Sequence, residues 1–496
     1  MLIALFAVAC NKDNDVIPVV SVEQLEVNPS GYSPLTARYS IVANEPVSVT
    51  LTLEGKADND PDLIVSFDGR NTSWTLPIYG LYADHANQIR IELQNESGEV
   101  VDVRSFTINT QRLADLPDIR IDRNATTLQP HHYLVNYFGF RDGGNPTPQR
   151  PFIMDQNGNI RWYLDFANHP SLSNLFFDNG LNILANGNFI MGDGNSGALY
   201  EVDRFGEVIN RWSLQGYGFH HHVIEIPNGN FLVTVNDPAK TTVEDVIIEI
   251  DRASGAITTT WDLNESLDNQ RRVWETDLAD LDIDWFHANA IEYDAANDEI
   301  IVSGRTQGVV KLDRDNHVTW ILAPHKGWSN NLDPFLLTPL DQSGSTITDP
   351  MVLEGDANHP DFEWSWYQHS PILLPNGNLM IFDNGDNRNY NTNVLYSRAV
   401  EYAIDESSMT IQQAWEYGKI RGDETYSRIV SKVNYYPSDG NVLFTPGAVV
   451  DDGIAQGKII DLNQSSGQVE FEATVFPPQP LFIIAFHNAQ RVTLYP

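Results

Sequence analysis

From residue 151 to residue 471 the chain repeats one short phrase. An apolar run ends near an Asp, a turn follows, and a second run closes on an aromatic residue. The copies read PFIMDQNGNIRW, LYEVDRFGEVINRW, VIIEIDRASGAITTTW, VVKLDRDNHVTW, AVEYAIDESSMTIQQAW and KIIDLNQSSGQVEF, ending at Trp162, Trp212, Trp261, Trp320, Trp415 and Phe471. A unit this short cannot bury its apolar face alone, so it must pack against its own copies. Most copies follow a strand–turn–strand pattern, as in NILANGNFIMGDG, VIEIPNGNFLVTVND, PILLPNGNLMIFDNG and KVNYYPSDGNVLFTPG. Gly, Asn and Pro interrupt these runs too often for helices. Each unit is therefore four antiparallel strands, and six units predict an all-β chain built on a six-bladed β-propeller. The unit near 131–166 is irregular and its second strand has no evident place. FIIAFHNAQRVTLYP at the C-terminus is expected to close the ring.

Upstream the texture changes. ARYSIVANEPVSVTLTLEG and QIRIELQNESGEVVDVRSFTIN alternate apolar and polar residues without the repeat. This predicts a small immunoglobulin-like β-sandwich over 18–115, with the propeller as the catalytic domain over 116–496 and RLADLPDIRID as the link. Residues 1–17 read as a lipoprotein-type signal and tether. The run MLIALFAVA ends in small residues at Cys10, the one cysteine, and polar NKDND follows. Cys10 is thus the expected lipidation site, the alternative being a cleavable signal in which it is incidental. The implied location is periplasmic or cell-surface, lipid-anchored to a bacterial outer membrane. With one cysteine no intrachain disulfide forms.

The formal net charge is −37. Such a surface repels phosphate backbones, so a nucleic-acid partner is excluded, and an anionic ligand must be held by a local group of donors. The repeat supplies that group. His369 stands seven residues before Asn376 of its turn, His221 seven before Asn228, and His287 seven before Asp294. Three consecutive units thus carry His at the start of the first, innermost strand. The second strand runs back to the same rim, and in the middle unit EIIVSGR delivers Arg305 beside His287. Asn289, two residues on from His287, is expected on the same face. His220 and His222 flank His221, and a bulge would exchange them. Trp328, Trp364 and Tyr367 lie on the long loops of this rim, where an aryl ring would stack.

Three His would suit zinc. An Arg at the same spot opposes a cation, however, and no acidic ligand is evident, so a metal-free site is expected. Arg with neutral imidazoles suits a tetrahedral oxyanion such as phosphate, sulfate or a sulfuryl group. Imidazole is also a nucleophile and an acid–base group near neutral pH.

The block DWFHANAIEYDAANDEIIVSGRTQGVVKLDRDNHVTWILAPHKGW resembles the bacterial arylsulfate sulfotransferases. So do FHHHVIEIPNGN and WYQHSPILLPNGNLMIFDNG, and NPSGYSPLTARYS and LPIYGLYAD resemble that family's N-terminal domain. The resemblance implies an enzyme that moves a sulfuryl group from a phenolic sulfate donor to a phenolic acceptor, without a nucleotide cofactor, by a ping-pong route through a sulfated histidine. It implies His369 as nucleophile, His221 in acid–base or donor contacts, and His287 with Arg305 on the sulfuryl oxygens. Asn289 would orient His287 or donate to the same group, with His220 and Tyr367 as further substrate contacts. Two other readings compete: an aryl sulfate hydrolase at the same site, and a non-catalytic propeller binding an anion or glycan. The oligomeric state, a homodimer included, is left open.

If Cys10 carries the anchor, the full-length protein partitions with membranes and Cys10→Ser releases it to the soluble fraction. A Cys10→Ser form still wholly in the membrane fraction would remove the anchor from the account.

Overall fold

The computed structural model describes residues 20–57, 60–113, 116–125, 131–140, 149–273, 278–478 and 483–496; Cys10 and the tether lie outside them. The chain is nearly all-β, as the sequence predicts. Five strands come first: Val20–Val27, Ala37–Leu53, Leu63–Ile78, Ala86–Gln94 and Val100–Asn109. The long strand Ala37–Leu53 organises them. Its first half pairs with 20–27 and 73–78, and its second half with 63–67 and 89–94. Inward residues such as Tyr39, Ile41, Val49 and Leu51 alternate with polar ones, so one face meets a core and the other meets water.

Six further sheets follow, and the repeat maps onto them. The second sheet is Asn182–Ile183, Phe189–Asp193, Ala198–Val202 and Val208–Ser213, and the third is Gly218–Glu225, Phe231–Asn236, Val246–Ile250 and Ile257–Asp262. The fourth is Ala288–Asp294, Glu299–Gly304, Gly308–Leu312 and Val318–Leu322. The fifth is His369–Leu373, Leu379–Asp383, Arg398–Asp405 and Thr410–Tyr417, edged by Thr338–Leu340. The sixth is Lys432–Tyr436, Asn441–Thr445, Ile454–Asn463 and Val469–Phe476. All of these four-strand pairings are antiparallel.

The first sheet explains why the unit near 131–166 looked irregular. Its strands are Ile483–Val492, His132–Phe140, Phe152–Asp155 and Ile160–Tyr163, in that order, so its leading strand comes from the other end of the chain. The presumed link RLADLPDIRID is also more than a link. Asp118–Asn124 pairs antiparallel with Val469–Phe476 and forms an outer strand of the sixth sheet. Both ends of the repeat region are therefore hydrogen-bonded into sheets whose other strands lie more than three hundred residues away.

The aromatic that closes each repeat joins one sheet to the next. Trp162 Nε1 donates to the Arg204 carbonyl at 2.7 Å, Trp212 to Arg252 at 2.8 Å, and Trp261 to Asp313 at 2.7 Å. Trp320 donates to Glu406 Oε1 at 2.9 Å, and Trp415 to the Gln464 carbonyl at 3.1 Å. In each case the acceptor sits at the turn of the following sheet. Phe471 has no N–H to give. It stacks on Tyr133 of the first sheet with ring centres 4.7 Å apart, and Tyr133 Oη donates to Asp461 of the sixth at 3.0 Å. Each indole pairs a large apolar burial with one directed bond, so it fixes both the distance and the register between sheets.

Trp261 is fully buried. Trp261→Phe keeps most of the packing but removes the indole bond to the Asp313 carbonyl, which still accepts from Asn316 N, and should lower stability by about 0.5–1.5 kcal/mol. Trp261→Ala should cost about 3–5 kcal/mol. Denaturant midpoints check the order; a Phe variant as stable as the parent would reduce the indole to a space-filler.

Candidate active site

Four first strands share a local irregularity. The pairing register slips between Phe219 and Val223, between Ala288 and Ala290, between His369 and Ile372, and between Phe486 and Asn488. A bulge re-aims side chains and leaves backbone groups to be satisfied otherwise. In the third sheet Thr234 does this: its Oγ1 accepts from His222 N at 3.0 Å. His222 in turn accepts the Ile291 N–H on Nδ1 at 3.0 Å, which makes it a tie between the third and fourth sheets. The irregularity brings left-handed backbone to non-glycine residues. φ is +53° at His221, +58° at His287, +57° at Glu244, +55° at Tyr367 and +54° at Ser370. Such conformations cost energy and gather where surrounding structure over-determines them for a purpose.

The bulges converge on one small chamber. It measures about 30 Å³, and each of the six repeat sheets contributes at or just before its first strand: Leu181, His221, Asn289, His369, Lys432 and His487 among them. That is space for a water or two. His221, His369 and Asn289 thus meet as the register argument required. The register missed His487, which sits in the bulge of the C-terminal strand. No PNGN turn follows that strand to anchor a count, yet Phe486-His487 repeats the Phe-His step of Phe219-His220 and Phe286-His287.

The larger surprise is acidic. Three carboxylates stand among the histidines, contrary to the expectation that no acidic ligand accompanies them. Asp178 contacts His221 Nδ1 through one oxygen and His487 Nε2 through the other, the latter at 3.0 Å. Glu244 Oε2 lies 3.1 Å from His221 Nε2 and 2.6 Å from His287 Nδ1. Asp284 Oδ2 lies 2.7 Å from His287 Nδ1 and 3.7 Å from the Arg305 guanidinium. These side chains alone have the composition of a cation site. Each carboxylate, however, faces an imidazole nitrogen. All three come from loops, and in a chain with 67 acidic residues no pattern marked them.

The charges arrange themselves around His221. Burial pulls its imidazolium down, but Asp178 and Glu244 outweigh that and raise it to about 10. The same pairing works in reverse on the acids. Burial would raise Asp178, yet His221 and His487 hold it below the carboxylate range, and His287 with His221 hold Glu244 well below. His221 Nε2 is also 3.1 Å from His287 Nε2. Two carboxylates face His287 Nδ1, so that nitrogen carries a hydrogen and donates.

His369 is the opposite case. It is 4% exposed, and burial pushes it well below the ordinary imidazole range, so it is neutral. Its Nδ1 lies 2.8 Å from Asn384 Oδ1. Arg305 is 7% exposed; its backbone N–H donates to the His287 carbonyl at 3.1 Å, which places it beside His287 as the sequence implied. Burial lowers its guanidinium somewhat, an effect that Asp284 and Glu244 offset, and it stays a cation.

The remaining candidates divide. Asn289 lines the chamber but does not orient His287: its Nδ2 donates to the Gln368 carbonyl at 2.9 Å, and Asp284 and Glu244 hold His287 instead. His220 is buried edge-on to His221, with ring centres 5.3 Å apart and neither ring nitrogen hydrogen-bonded. Burial lowers it to about 4. Tyr367 Oη accepts from Asn387 Nδ2 at 3.3 Å, and its ring is buried. Trp328 and Trp364 are buried with their indole N–H groups on the Pro324 and Val352 carbonyls, so they pack rather than offer a free face.

Residues 119–478 match the family model described as arylsulfotransferase, and residues 24–111 match the arylsulfotransferase Ig-like domain. The chain belongs to the arylsulfotransferase family. It is accordingly an enzyme that transfers a sulfur-containing group. The chain is 31% identical to the arylsulfate sulfotransferase AssT of Escherichia coli O6:H1, over 92% of this chain and 90% of that one. It is 29% identical to the protein of the same name from Lelliottia amnigena, over 93% and 92%. A crystal structure of a protein of unknown function from Bacteroides caccae superposes with a TM-score of 0.42 at 12% identity, covering 73% of this chain and 99% of that one, too distant to argue from.

A group raised to about 10 stays charged below that pH and loses its proton as the pH rises through it. His221 should thus remain protonated through neutral pH in a histidine NMR titration. Removing one of its two carboxylates by Asp178→Asn should move the midpoint to lower pH. An unmoved midpoint would mean that Asp178 does not sustain the charge.

Proposed function

We propose that the six repeat sheets are the blades of a propeller and that the histidine chamber lies on its axis, at the rim where the first strands begin. Two facts support this reading: each sheet is joined to the next and the sixth to the first, and all six contribute to one chamber.

At that site the enzyme moves a sulfuryl group from a phenolic sulfate ester to a phenolic acceptor, in two steps through His369. The observation that carries this is the contrast between a neutral, buried His369 and a charged His221 lining the same chamber. A nucleophile must be unprotonated and a general acid protonated, and here environment separates two identical side chains into those roles. In the first step His369 forms an N–S bond and the S–O bond to the aryl oxygen breaks. The phenolate takes the bonding electrons and receives the proton of His221. In the second step an acceptor phenol attacks sulfur, its proton returns to His221, and the N–S electrons return to the ring. No net proton is gained or lost.

The pKa match is apt. A phenol titrates at about 10, and His221 is held at about 10, so the proton moves between near-equals in either direction. Arg305, beside His287, supplies positive charge for the sulfuryl oxygens, in a buried setting where such charge counts for more than in water. Sulfuryl transfer, by analogy with phosphoryl transfer, has a loose transition state that asks for position and charge balance. The names of the two relatives support an aryl sulfate donor. Lipid anchoring through Cys10 to a bacterial outer membrane, on the periplasmic side or at the cell surface, remains part of the proposal.

Incubation with a phenolic sulfate, acid-free quenching and peptide mass mapping should find one sulfuryl group, on the peptide containing His369. His369→Asn should lose both adduct and transfer by about 10³-fold or more while staying folded. Transfer surviving in His369→Asn would end the covalent route through this residue.

A further inference from the structure

The partner of the nucleophile is an amide, and that choice has chemical consequences. Asn384 directly follows the second strand of the fifth sheet, as Arg305 follows that of the fourth. It is fully buried. Its Nδ2 donates to the Ser427 carbonyl at 2.7 Å and to the Val430 carbonyl at 3.0 Å. Two carbonyl oxygens can only accept, so the amide nitrogen must face them and Oδ1 must face His369. Ser397 braces both ends of this arrangement. Its Oγ donates to the Asn384 carbonyl at 2.7 Å and accepts from Ser427 N at 2.9 Å.

An amide oxygen 2.8 Å from His369 Nδ1 requires that Nδ1 carry the hydrogen. In a neutral imidazole the other nitrogen, Nε2, then holds the lone pair. We infer that Asn384 is a positioning residue that selects Nε2 as the nucleophilic atom and keeps the Nδ1 proton on the ring through the whole cycle. The inference rests on the sulfated-histidine reading above and adds which atom reacts and why the adduct can leave.

When Nε2 bonds to sulfur, the ring becomes an N-sulfo imidazolium and Nδ1–H turns acidic. A carboxylate partner would take that proton and leave an anionic N-sulfoimidazole, with a neutral ring and a charged sulfonate, whose departure in the second step would expel a strongly basic imidazolate. An amide oxygen is far too weak a base to do so. Of the neighbours with the largest electrostatic effect on the ring, His487, His221 and Arg305, none is a carboxylate. They disfavour a further charge on the free ring, but the incoming sulfuryl group brings its own negative charge, so the protonated adduct is neutral overall. The second step then expels neutral imidazole, whose conjugate acid has a pKa of about 6.5. The N–S electrons return to Nε2, the phenol proton goes to His221, and Nδ1–H never moves. The same logic separates this amide–histidine pair from a carboxylate–histidine pair, where extra basicity in the first step would be lost again in the second.

The test is a two-stage experiment on the full chain. Enzyme is loaded with an aryl sulfate, freed of donor, and mixed with an acceptor phenol while intact mass follows the sulfuryl adduct. Asn384→Asp should still form the adduct but discharge it about 10²-fold more slowly. Discharge at the parental rate would overturn the inference, and so would faster discharge. Absence of any adduct on the parent enzyme would instead defeat the underlying reading, so the two failures are distinct. Because a carboxylate facing two carbonyls risks misfolding, histidine ¹⁵N NMR on the parent provides an independent check. It should show a protonated Nδ1 and a bare Nε2 at rest, and a protonated Nδ1 in the sulfated enzyme at neutral pH. A bare Nδ1 in either state would contradict the assignment.

Discussion

Everything at the site depends on an indole N–H that one sheet gives to the next. Trp162, Trp212, Trp261, Trp320 and Trp415 each place a directed bond at the same place in the repeat. With the sheets so spaced, their first strands approach one another closely enough for six side chains from six sheets to line one chamber. The closing pair, Phe471 on Tyr133, substitutes stacking for the missing N–H, and Tyr133 restores a polar bond through Asp461. The scaffold is thus repetitive where it must be rigid, and irregular only at the ends of the first strands.

In the proposed mechanism those irregular ends carry the chemistry. The bulges and left-handed residues cost stability, and the Trp joints and buried strands between them offset it. What the strain achieves is an electrostatic division between like side chains. His221 sits between Asp178 and Glu244 and is charged; His369 sits against an amide and is neutral. An imidazole has no fixed character in this fold, and its nearest oxygen decides what it is. A strongly acidic chain fits this arrangement, because the site's cations are local and few, and carboxylates balance most of them.

Much of this was legible in the sequence, for a definite reason. Repetition supplied an internal alignment, so the aromatic positions, the four-strand unit and the shared register of His221, His287 and His369 needed no second sequence. Arg305 followed from asking where a second strand ends. The same question put to the next unit reaches Asn384 in LMIFDNG. His487 escaped because the count depends on a turn that its strand, the last in the chain, does not have. Asp178, Glu244 and Asp284 escaped because loops have no period, and three acids among 67 carry no signal. The first sheet escaped in part because it is assembled from opposite ends of the repeat region, a pairing that local pattern cannot express.

The central claim is that the sulfuryl group passes through the protein rather than directly from donor to acceptor. Each in-line displacement inverts the configuration at sulfur, so the number of displacements is written in the product. An aryl sulfate made chiral with three oxygen isotopes should therefore give product sulfate ester with net retention. Net inversion would mean a single direct transfer, and His369 would then be a contact rather than the carrier.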